Sequence, residues 1–515
     1  MSAPHMLVPY DVTEAELLEK AKLQKNFGRY DILFFLICTL VGVDTIGAVA
    51  SYGAEAFTWL MLLSLVFFLP SAMLFAELGT AFPEEGGPYI WVRMAFGRLP
   101  GAINNVLYWI TNPVWLGGTL AVLAATVFAT FFTGSSELSS FAFYAFTLIF
   151  VWVGVLSAIL SFHVGKWIPT VGAWSRFLLL GFFTISVIVY GIENGAHGFA
   201  FADFNPTYIG FVGLVPILLF NLVGFELPNT AGDEMKNPQR DVPFAIVRSG
   251  ILAVILYGVP ILGILLVLPT DQVTNLGGFI DALKSVFTVY GGSITDGVPT
   301  LTGAGEALGL IAAVLFILAL LSSGVAWIMG SDRALAVSGF DGAAPRYLGA
   351  ISAKFGTPVR VNILSGLVST AVLIGAHEIT GGDSEKLFGT VLGLAISTTL
   401  LSYIGIFPAL AVLRRKLPNV ARPYRAPWAT FLSILLTVLI LFATIQLFLP
   451  GIGSDWFGDD FRPGAWAADE KWTFLLVELV PLVIFVIVGV VFWALGKSTR
   501  EDLATEEEIL AAPIA

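Results

Sequence analysis

Long apolar stretches separated by short polar connectors occupy the chain between residues 31 and 496. An α-helix needs about 20 mostly apolar residues to cross the hydrocarbon core of a bilayer, and each stretch is about that long. The pattern therefore predicts about twelve membrane-spanning helices. They cover residues 31–52, 56–80, 100–132, 139–162, 168–191, 207–232, 245–269, 306–335, 360–380, 387–412, 427–449 and 473–496.

The composition indicates that lipid is the solvent for most of this surface. Hydrophobic residues make up 57% of the chain and charged residues 12%, and the mean hydropathy is +0.86. Soluble domains carry about 25% charged residues, so a soluble fold of this length is excluded. Because the backbone must satisfy its own hydrogen bonds in lipid, helices are favoured. The predicted fold class is an all-α polytopic membrane protein of the plasma membrane.

The basic residues predict the orientation of the spans. With the N-terminus inside, only Lys284, Lys386, Arg462 and Lys471 of the 26 Lys and Arg residues lie outside. Cytoplasmic loops carry an excess of Lys and Arg, so both termini are predicted to be cytoplasmic. The net charge of −11 comes largely from acids in the outer loops and the tail, and it requires no cationic partner.

Three segments outside the spans have features of their own. Residues 1–29 form a cytoplasmic arm in which residues 15–25 fit an amphipathic interfacial helix, and residues 497–515 form an acidic cytoplasmic tail. The longest outer connector, 270–305, contains an apolar stretch that fits a short helix over the extracellular side. Cys38 is the single cysteine, so no internal disulfide can form.

Two of the predicted spans are interrupted at corresponding depths. The residues involved are Gly42, Asp44 and Gly47 in the first span, and Gly224, Glu226, Pro228 and Gly232 in the sixth. Glycine weakens a helix, and proline has no amide hydrogen to donate. Breaks in the first and sixth spans are expected of two inverted repeats of five helices with a substrate site near the midplane. The alternative is that the glycines only allow close helix packing.

Four stretches resemble the signatures of one family of membrane proteins. They are FAELGTAFPEEGGPYIWVRMAFG at 75–97, GFELPNTAGDEMKNPQRDVPFAI at 224–246, the connector at 330–363 and RPYRAP at 422–427. In this order they resemble the permeases of the amino acid–polyamine–organocation superfamily over nearly the whole chain. The resemblance implies a transport core of ten helices at 30–412, built as five-plus-five inverted repeats, with helices eleven and twelve at 413–496.

The resemblance also implies a substrate site where the first and sixth helices unwind, near Gly42 and Gly224. Backbone amides near Gly47 and Ala48 would face a substrate carboxylate, and helix C-terminal carbonyls would face an amine. Most relatives have a glycine- and serine-rich stretch where this chain has GVDTIGAVA at 42–50. An acidic residue at this place is more similar to the polyamine-uptake branch.

Asp44 and Glu226 are the carboxylates of the predicted site. A charged side chain at mid-membrane depth costs about 2.5–3.5 kcal/mol on insertion scales and usually lines a functional cavity. We predict that Asp44 contacts a substrate ammonium or carries a proton, and the alternative is an aspartate that only braces the helix break. Glu226 has two equal interpretations: a substrate contact, or a partner for the backbone freed by Pro228.

Aromatic and polar residues near the breaks complete the predicted pocket. Phe220 lies one turn before the sixth-span break, where relatives have an aromatic gate, although packing is the default for one of 42 phenylalanines. Asn112 and Trp115 in the third span are further candidates for substrate binding, and Trp327, with Ser322 and Ser323 in the eighth span, is another candidate for the pocket.

Arg176 in the fifth span is the candidate for coupling, with Ser322 and Ser323 of the eighth span. It lies near the place where proton-coupled relatives carry a lysine instead of a sodium ion, and an arginine would supply that positive charge permanently. The sequence slightly favours the alternative, an interfacial arginine that snorkels beside Lys166.

The sequence therefore predicts a secondary transporter that moves amino acids or related amines by alternating access, through proton coupling or exchange. Uptake of polyamines or organic cations is the alternative substrate class, and a membrane substrate sensor is the alternative outside transport. An enzyme is not expected, because the four histidines share no metal-ligand spacing and no HExxH or GxSxG motif is present. The expected partners are the substrate and the lipid bilayer, without cofactor, metal or nucleic acid, and a homodimer stays open.

Overall fold

The computed structural model describes residues 27–135, 137–164, 167–453, 455–458 and 466–502. The predicted amphipathic helix at 15–25 and the acidic end of the tail lie outside these described residues. Ten helices in the described part are long and apolar enough to cross a membrane. Two further spans occur at the predicted places and are interrupted. The predicted all-α polytopic class is thus confirmed.

We number the spans in chain order. Span 1 consists of Arg29–Leu40 and Ile46–Ala50, and span 6 consists of Tyr208–Asn221 and the 3-10 segment Leu227–Glu234. The uninterrupted spans 2–5 and 7–12 are Ala54–Ala81, Arg98–Thr133, Ser140–Val164, Trp167–Asn194, Pro238–Val267, Ala304–Phe340, Val359–Ile379, Ser384–Lys416, Ala429–Phe448 and Lys471–Leu495. Span 7 begins at Pro238 rather than at residue 245, because proline is well tolerated in the first turn of a helix.

The two interruptions follow from local backbone chemistry. In span 1 the helix ends at Leu40 and resumes at Ile46. In span 6 Gly224 has φ +125°, a backbone conformation that L side chains rarely adopt, and Pro228 occupies the first turn of the 3-10 segment that follows. Both helices therefore stop in the middle of a span and expose backbone groups there.

The packing of the spans puts both interruptions near the centre of the molecule. The first half of span 1 packs against spans 5, 7 and 8, and span 3 packs against spans 8, 10 and 12. The inner half of span 8, at 322–339, is buried along its whole length. Spans 1, 3, 6 and 8 thus surround a common interior, where the site is formed.

The outer connector forms the predicted short helix, Gly278–Phe287. A two-stranded antiparallel hairpin follows it, with β1 at Gly292–Thr295 and β2 at Val298–Leu301. The helix packs against the outer half of span 1. A Cβ atom on Gly47 would come within 3.2 Å of Asn275 O and Phe279 N, so glycine permits this close approach.

Candidate functional site

The interruption of span 1 and the end of the Tyr208–Asn221 segment of span 6 border a cavity with about 370 Å³ of atom-free space, including space open to solvent. Spans 1, 3, 6, 7, 8 and 10 supply its lining. The lining residues are Thr39, Gly42, Asp44, Thr111, Asn112, Trp115, Phe220, Asn221, Tyr257, Trp327 and Thr399. This lining contains one carboxylate, no basic side chain and four aromatic rings.

Asp44 is the acidic group of the cavity, and only 2% of it is exposed. The indole Nε1 of Trp115 donates to Asp44 Oδ2 at 2.8 Å. Asp44 Oδ1 has no hydrogen-bond partner within the described part of the chain. Because a buried polar atom without a partner is costly, an oxygen left open in a cavity indicates a place for a ligand donor.

The non-helical segment around Asp44 is held by span 7. The amide of Gly42 donates to the hydroxyl of Tyr257 at 2.8 Å, and Thr45 Oγ1 donates to the Gly42 carbonyl at 3.2 Å. A Cβ atom on Gly42 would lie 2.8 Å from Asp44 Oδ1. Glycine at this position therefore leaves the free carboxylate oxygen accessible.

Aromatic rings form two walls of the cavity. Trp115 and Phe220 meet edge to face, with ring centroids 6.1 Å apart, and Trp327 lies 6.4 Å from the ring of Tyr108. The indole of Trp327 donates to the carbonyl of Thr39 at 3.2 Å, so its ring is fixed. Aromatic faces attract organic cations, so these walls and the carboxylate favour the same kind of ligand.

Glu226 lies within the interruption of span 6 but outside the cavity lining. It is fully buried, and Tyr108 of span 3 donates to its Oε1 at 3.0 Å. Its Oε2 has no hydrogen-bond partner among the described residues. Gly224 packs against the ring of Trp327 and does not line the cavity either. The substrate roles of Glu226 and Gly224 stay predictions.

Arg176 is fully buried in span 5 and does not snorkel to the interface, so the interpretation slightly favoured by the sequence is wrong. Its guanidinium donates to oxygen atoms of spans 1, 5 and 8. These acceptors are Cys38 O, Val41 O, Gly172 O, Ala319 O, Ser322 Oγ and Ser323 Oγ. A permanent positive charge thus joins the interrupted span 1 to spans 5 and 8, while its role in coupling stays a prediction.

The backbone amides predicted to bind a substrate carboxylate, near Gly47 and Ala48, do not belong to residues that line the cavity. Gly47 and Ala48 are buried but are not among the cavity residues, and Gly47 packs against the outer connector. Their role in substrate binding stays a prediction. Asp44, Gly42, Asn112, Trp115 and Phe220, by contrast, all line the cavity.

Buried ion pairs join the ends of several spans on one side of the bundle. Arg333 contacts Glu85 at 3.1 Å and Glu234 at 2.7 Å, and Arg93 contacts Asp341 at 2.7 Å. All five side chains are at most 8% exposed. Glu85 belongs to the stretch at 75–97, Glu234 to that at 224–246 and Arg333 to that at 330–363, so three signature stretches meet in one cluster.

Five cavity residues escaped the sequence-based selection of candidates. They are Thr39, Thr111, Asn221, Tyr257 and Thr399. Tyr257 lies 215 positions from its partner Gly42, and no motif marks it. Asn221 follows Phe220 directly, so its polarity next to a predicted gate was a signal that could have been used.

Comparisons with known proteins agree with this architecture. The amino acid permease family matches residues 27–461. A probable agmatine/putrescine antiporter of Lactococcus lactis is 28% identical over 404 residues, covering 78% of this chain and 82% of the relative. An uncharacterized transporter of Legionella pneumophila is 28% identical over 493 residues, covering 93% of this chain and 98% of the relative. The cadaverine/lysine antiporter of Escherichia coli is 26% identical over 370 residues, covering 69% of this chain and 75% of the relative.

The chain belongs to the amino acid permease family, as the four signature stretches predicted. It is a multi-pass membrane protein that transports amino acids or amines. The predicted class of function is thus confirmed.

Proposed function

We propose that this chain is an antiporter of organic amines in the plasma membrane, with both termini cytoplasmic and Asp44 as the partner of the substrate ammonium. The observation that carries the proposal is Asp44 Oδ1, which has no partner in the described part of the chain and faces a cavity without basic side chains. An ammonium group offers N–H donors and the opposite charge, so it satisfies this oxygen.

The charge of the lining favours an amine over an amino acid. A substrate carboxylate would share the cavity with Asp44 and meet no Lys or Arg side chain there. A buried anion beside a second anion is destabilised unless cations or several amides surround it. The amides expected to provide such a group, near Gly47 and Ala48, lie outside the lining.

Exchange is favoured by the relatives. Two of them are named as antiporters, one probable for agmatine and putrescine and one for cadaverine and lysine. In this chain the Arg176 guanidinium donates to carbonyl and hydroxyl oxygens of spans 1, 5 and 8. Because a fixed guanidinium fills this oxygen-rich position, coupling to sodium is disfavoured.

Counterflow in proteoliposomes tests the proposal. Vesicles containing the purified full chain are loaded with excess unlabelled putrescine, agmatine, cadaverine or lysine, and uptake of labelled putrescine is followed. We expect uptake to be accelerated by internal amine, unchanged when choline replaces sodium, and absent in empty vesicles.

Three results would contradict the proposal. Uptake driven by an imposed proton gradient but indifferent to internal amine would indicate net uptake instead of exchange. Uptake that requires sodium after collapse of the proton gradient would contradict the role of Arg176. Binding and exchange of neutral amino acids without any amine would overturn the assignment of Asp44.

A further inference from the structure

Three buried polar atoms in the cavity lining have no hydrogen-bond partner among the residues that the structure describes. They are Asp44 Oδ1, Asn112 Oδ1 and Asn221 Nδ2. All three residues are at least 95% buried, so water does not satisfy these atoms by simple exposure. The first is assigned above to an ammonium, and the two amides remain without a function.

Asn112 lies in span 3, about one helical turn before the indole that binds Asp44. Asn112 precedes Trp115, the partner of Asp44, by three residues on span 3, which is about 4.5 Å along a helix axis. Its Nδ2 donates to the carbonyl of Tyr108 at 3.1 Å. Because a carbonyl only accepts, this bond fixes the orientation of the amide and leaves Oδ1 as a free acceptor.

Asn221 supplies a complementary atom from span 6, which also lines the cavity. It is the last residue of the outer half of span 6 and follows the ring of Phe220. Its Nδ2 is a donor without a partner in the described part of the chain. Asn112 and Asn221 together therefore offer one acceptor and one donor, and neither carries a charge.

We propose that Asn112 and Asn221 recognise the end of the substrate remote from Asp44 and select a neutral group with one N–H and one carbonyl. The cavity then prefers an amine with a single positive charge, such as a mono-acylated diamine, over the diamine itself. This inference rests on the proposed function, because it takes Asp44 as the partner of the ammonium.

The charge count supports this selection. The eleven lining residues contain a single carboxylate, which one ammonium neutralises. The second ammonium of a diamine would be buried among neutral groups, and burial of an unpaired charge is costly. An amide end would instead donate to Asn112 Oδ1 and accept from Asn221 Nδ2.

Putrescine and N-acetylputrescine form a matched pair of probes, since they share one ammonium and the four-carbon chain. Competition with labelled amine on the purified full chain measures both affinities. The wild-type protein should favour N-acetylputrescine by about tenfold, the effect of roughly 1.4 kcal/mol. Asn112→Asp preserves the size of the side chain and adds a second carboxylate, so the preference should reverse toward putrescine.

Asn221→Ala is the second test variant. It removes the donor for the acetyl carbonyl, so it should weaken N-acetylputrescine by about five- to tenfold more than it weakens putrescine. Asn105→Asp is the matched control, because Asn105 is a buried amide of span 3 with one unpartnered oxygen but lies outside the cavity lining. It should not alter the preference.

The outcomes separate this inference from the proposed function. If both amines bind and their ratio is the same in wild type, Asn112→Asp and Asn221→Ala, the selection by the two amides is refuted and amine transport stands. Preference for putrescine in the wild-type protein also refutes the selection. If neither amine binds at any concentration, the proposed function itself is overturned.

Discussion

At the scale of the residue, two buried aspartates differ in how many of their oxygen atoms have hydrogen-bond partners. Asp332 in span 8 has both oxygens occupied, by Trp109 at 3.0 Å, Ser365 at 2.7 Å and Asn362 at 2.6 Å. Asp44 has the same kind of indole partner but retains one open oxygen. The two aspartates thus differ in whether both carboxylate oxygens have hydrogen-bond partners, and substitution of each residue tests what this difference means.

Asp44→Asn should weaken amine affinity by about 10- to 150-fold, because a hydrogen bond to a charged group contributes about 1.5–3 kcal/mol. Competition binding on purified protein measures the amine affinity. Asp332→Asn is the control, and it should lower thermal stability without changing affinity. Wild-type affinity together with wild-type pH dependence of uptake in Asp44→Asn would mean that Asp44 only braces the helix break. Preserved exchange with altered pH dependence would instead identify a proton carrier.

Arg176→Met should destabilise the fold by more than about 3 kcal/mol, since several buried acceptors lose their donor and each unsatisfied group costs about 1–3 kcal/mol. Denaturant-induced unfolding in detergent measures the change. Arg415→Met, at an exposed position in the last turn of span 10, should stay within about 0.5 kcal/mol of the wild type. Equal stability of both variants would show that the arginine is not a structural connection between spans 1, 5 and 8.

At the scale of the element, two helices are interrupted beside the cavity. Span 1 stays open because Tyr257 of span 7 accepts from the Gly42 amide, and span 6 stays open because Gly224 adopts a positive φ. Each break depends on a glycine: Gly42 donates its amide to Tyr257 instead of to a helical carbonyl, and Gly224 has a φ that L side chains rarely adopt. The shape of the cavity is therefore determined by the backbone as much as by the lining side chains.

Gly224→Ala should destabilise the protein by about 1–3 kcal/mol, because alanine at φ +125° is strained and its Cβ would lie 3.1 Å from the Trp327 ring. Gly375→Ala is the control in span 9, where a Cβ meets no atom within 4 Å. It should be neutral or stabilise by up to about 1 kcal/mol. Thermal unfolding of both variants tests this, and a Gly224→Ala protein as stable as Gly375→Ala would contradict the role of the positive φ.

At the scale of the whole molecule, ion pairs on one side of the helical bundle join segments that are far apart in the sequence. Glu77 accepts from Arg414 and lies 3.2 Å from Arg422, which starts the RPYRAP stretch. With the Arg333 cluster, all four signature stretches thus meet at the end of the bundle where basic residues are concentrated. The same face is predicted to be cytoplasmic from the distribution of Lys and Arg.

Single-cysteine labelling tests this orientation. In a Cys38→Ser background, cysteine at position 236 or 415 should react with a membrane-impermeant maleimide only after permeabilisation. Cysteine at position 296, in the turn of the outer hairpin, should react in intact cells. Efficient labelling of 236 or 415 from outside would reverse the topology.

The sequence by itself determined the class of fold, the positions of the spans and the two breaks. Lipid requires long apolar segments with internally satisfied backbones, and glycine, proline and acidic residues stand out in such segments. These are local properties, so they can be identified without knowing which helices touch. The four signature stretches determined the family for the same reason.

Only the tertiary structure decided which residues share the cavity and which do not. Tyr257 reaches Gly42 across 215 positions, and Arg176 binds carbonyl groups of spans 1 and 8 instead of reaching the interface. Gly47 packs against the outer connector, although its sequence position suggested the substrate site. Helix rotation and long-range packing determine these contacts, and an apolar sequence leaves helix rotation undetermined because nearly every face is hydrophobic.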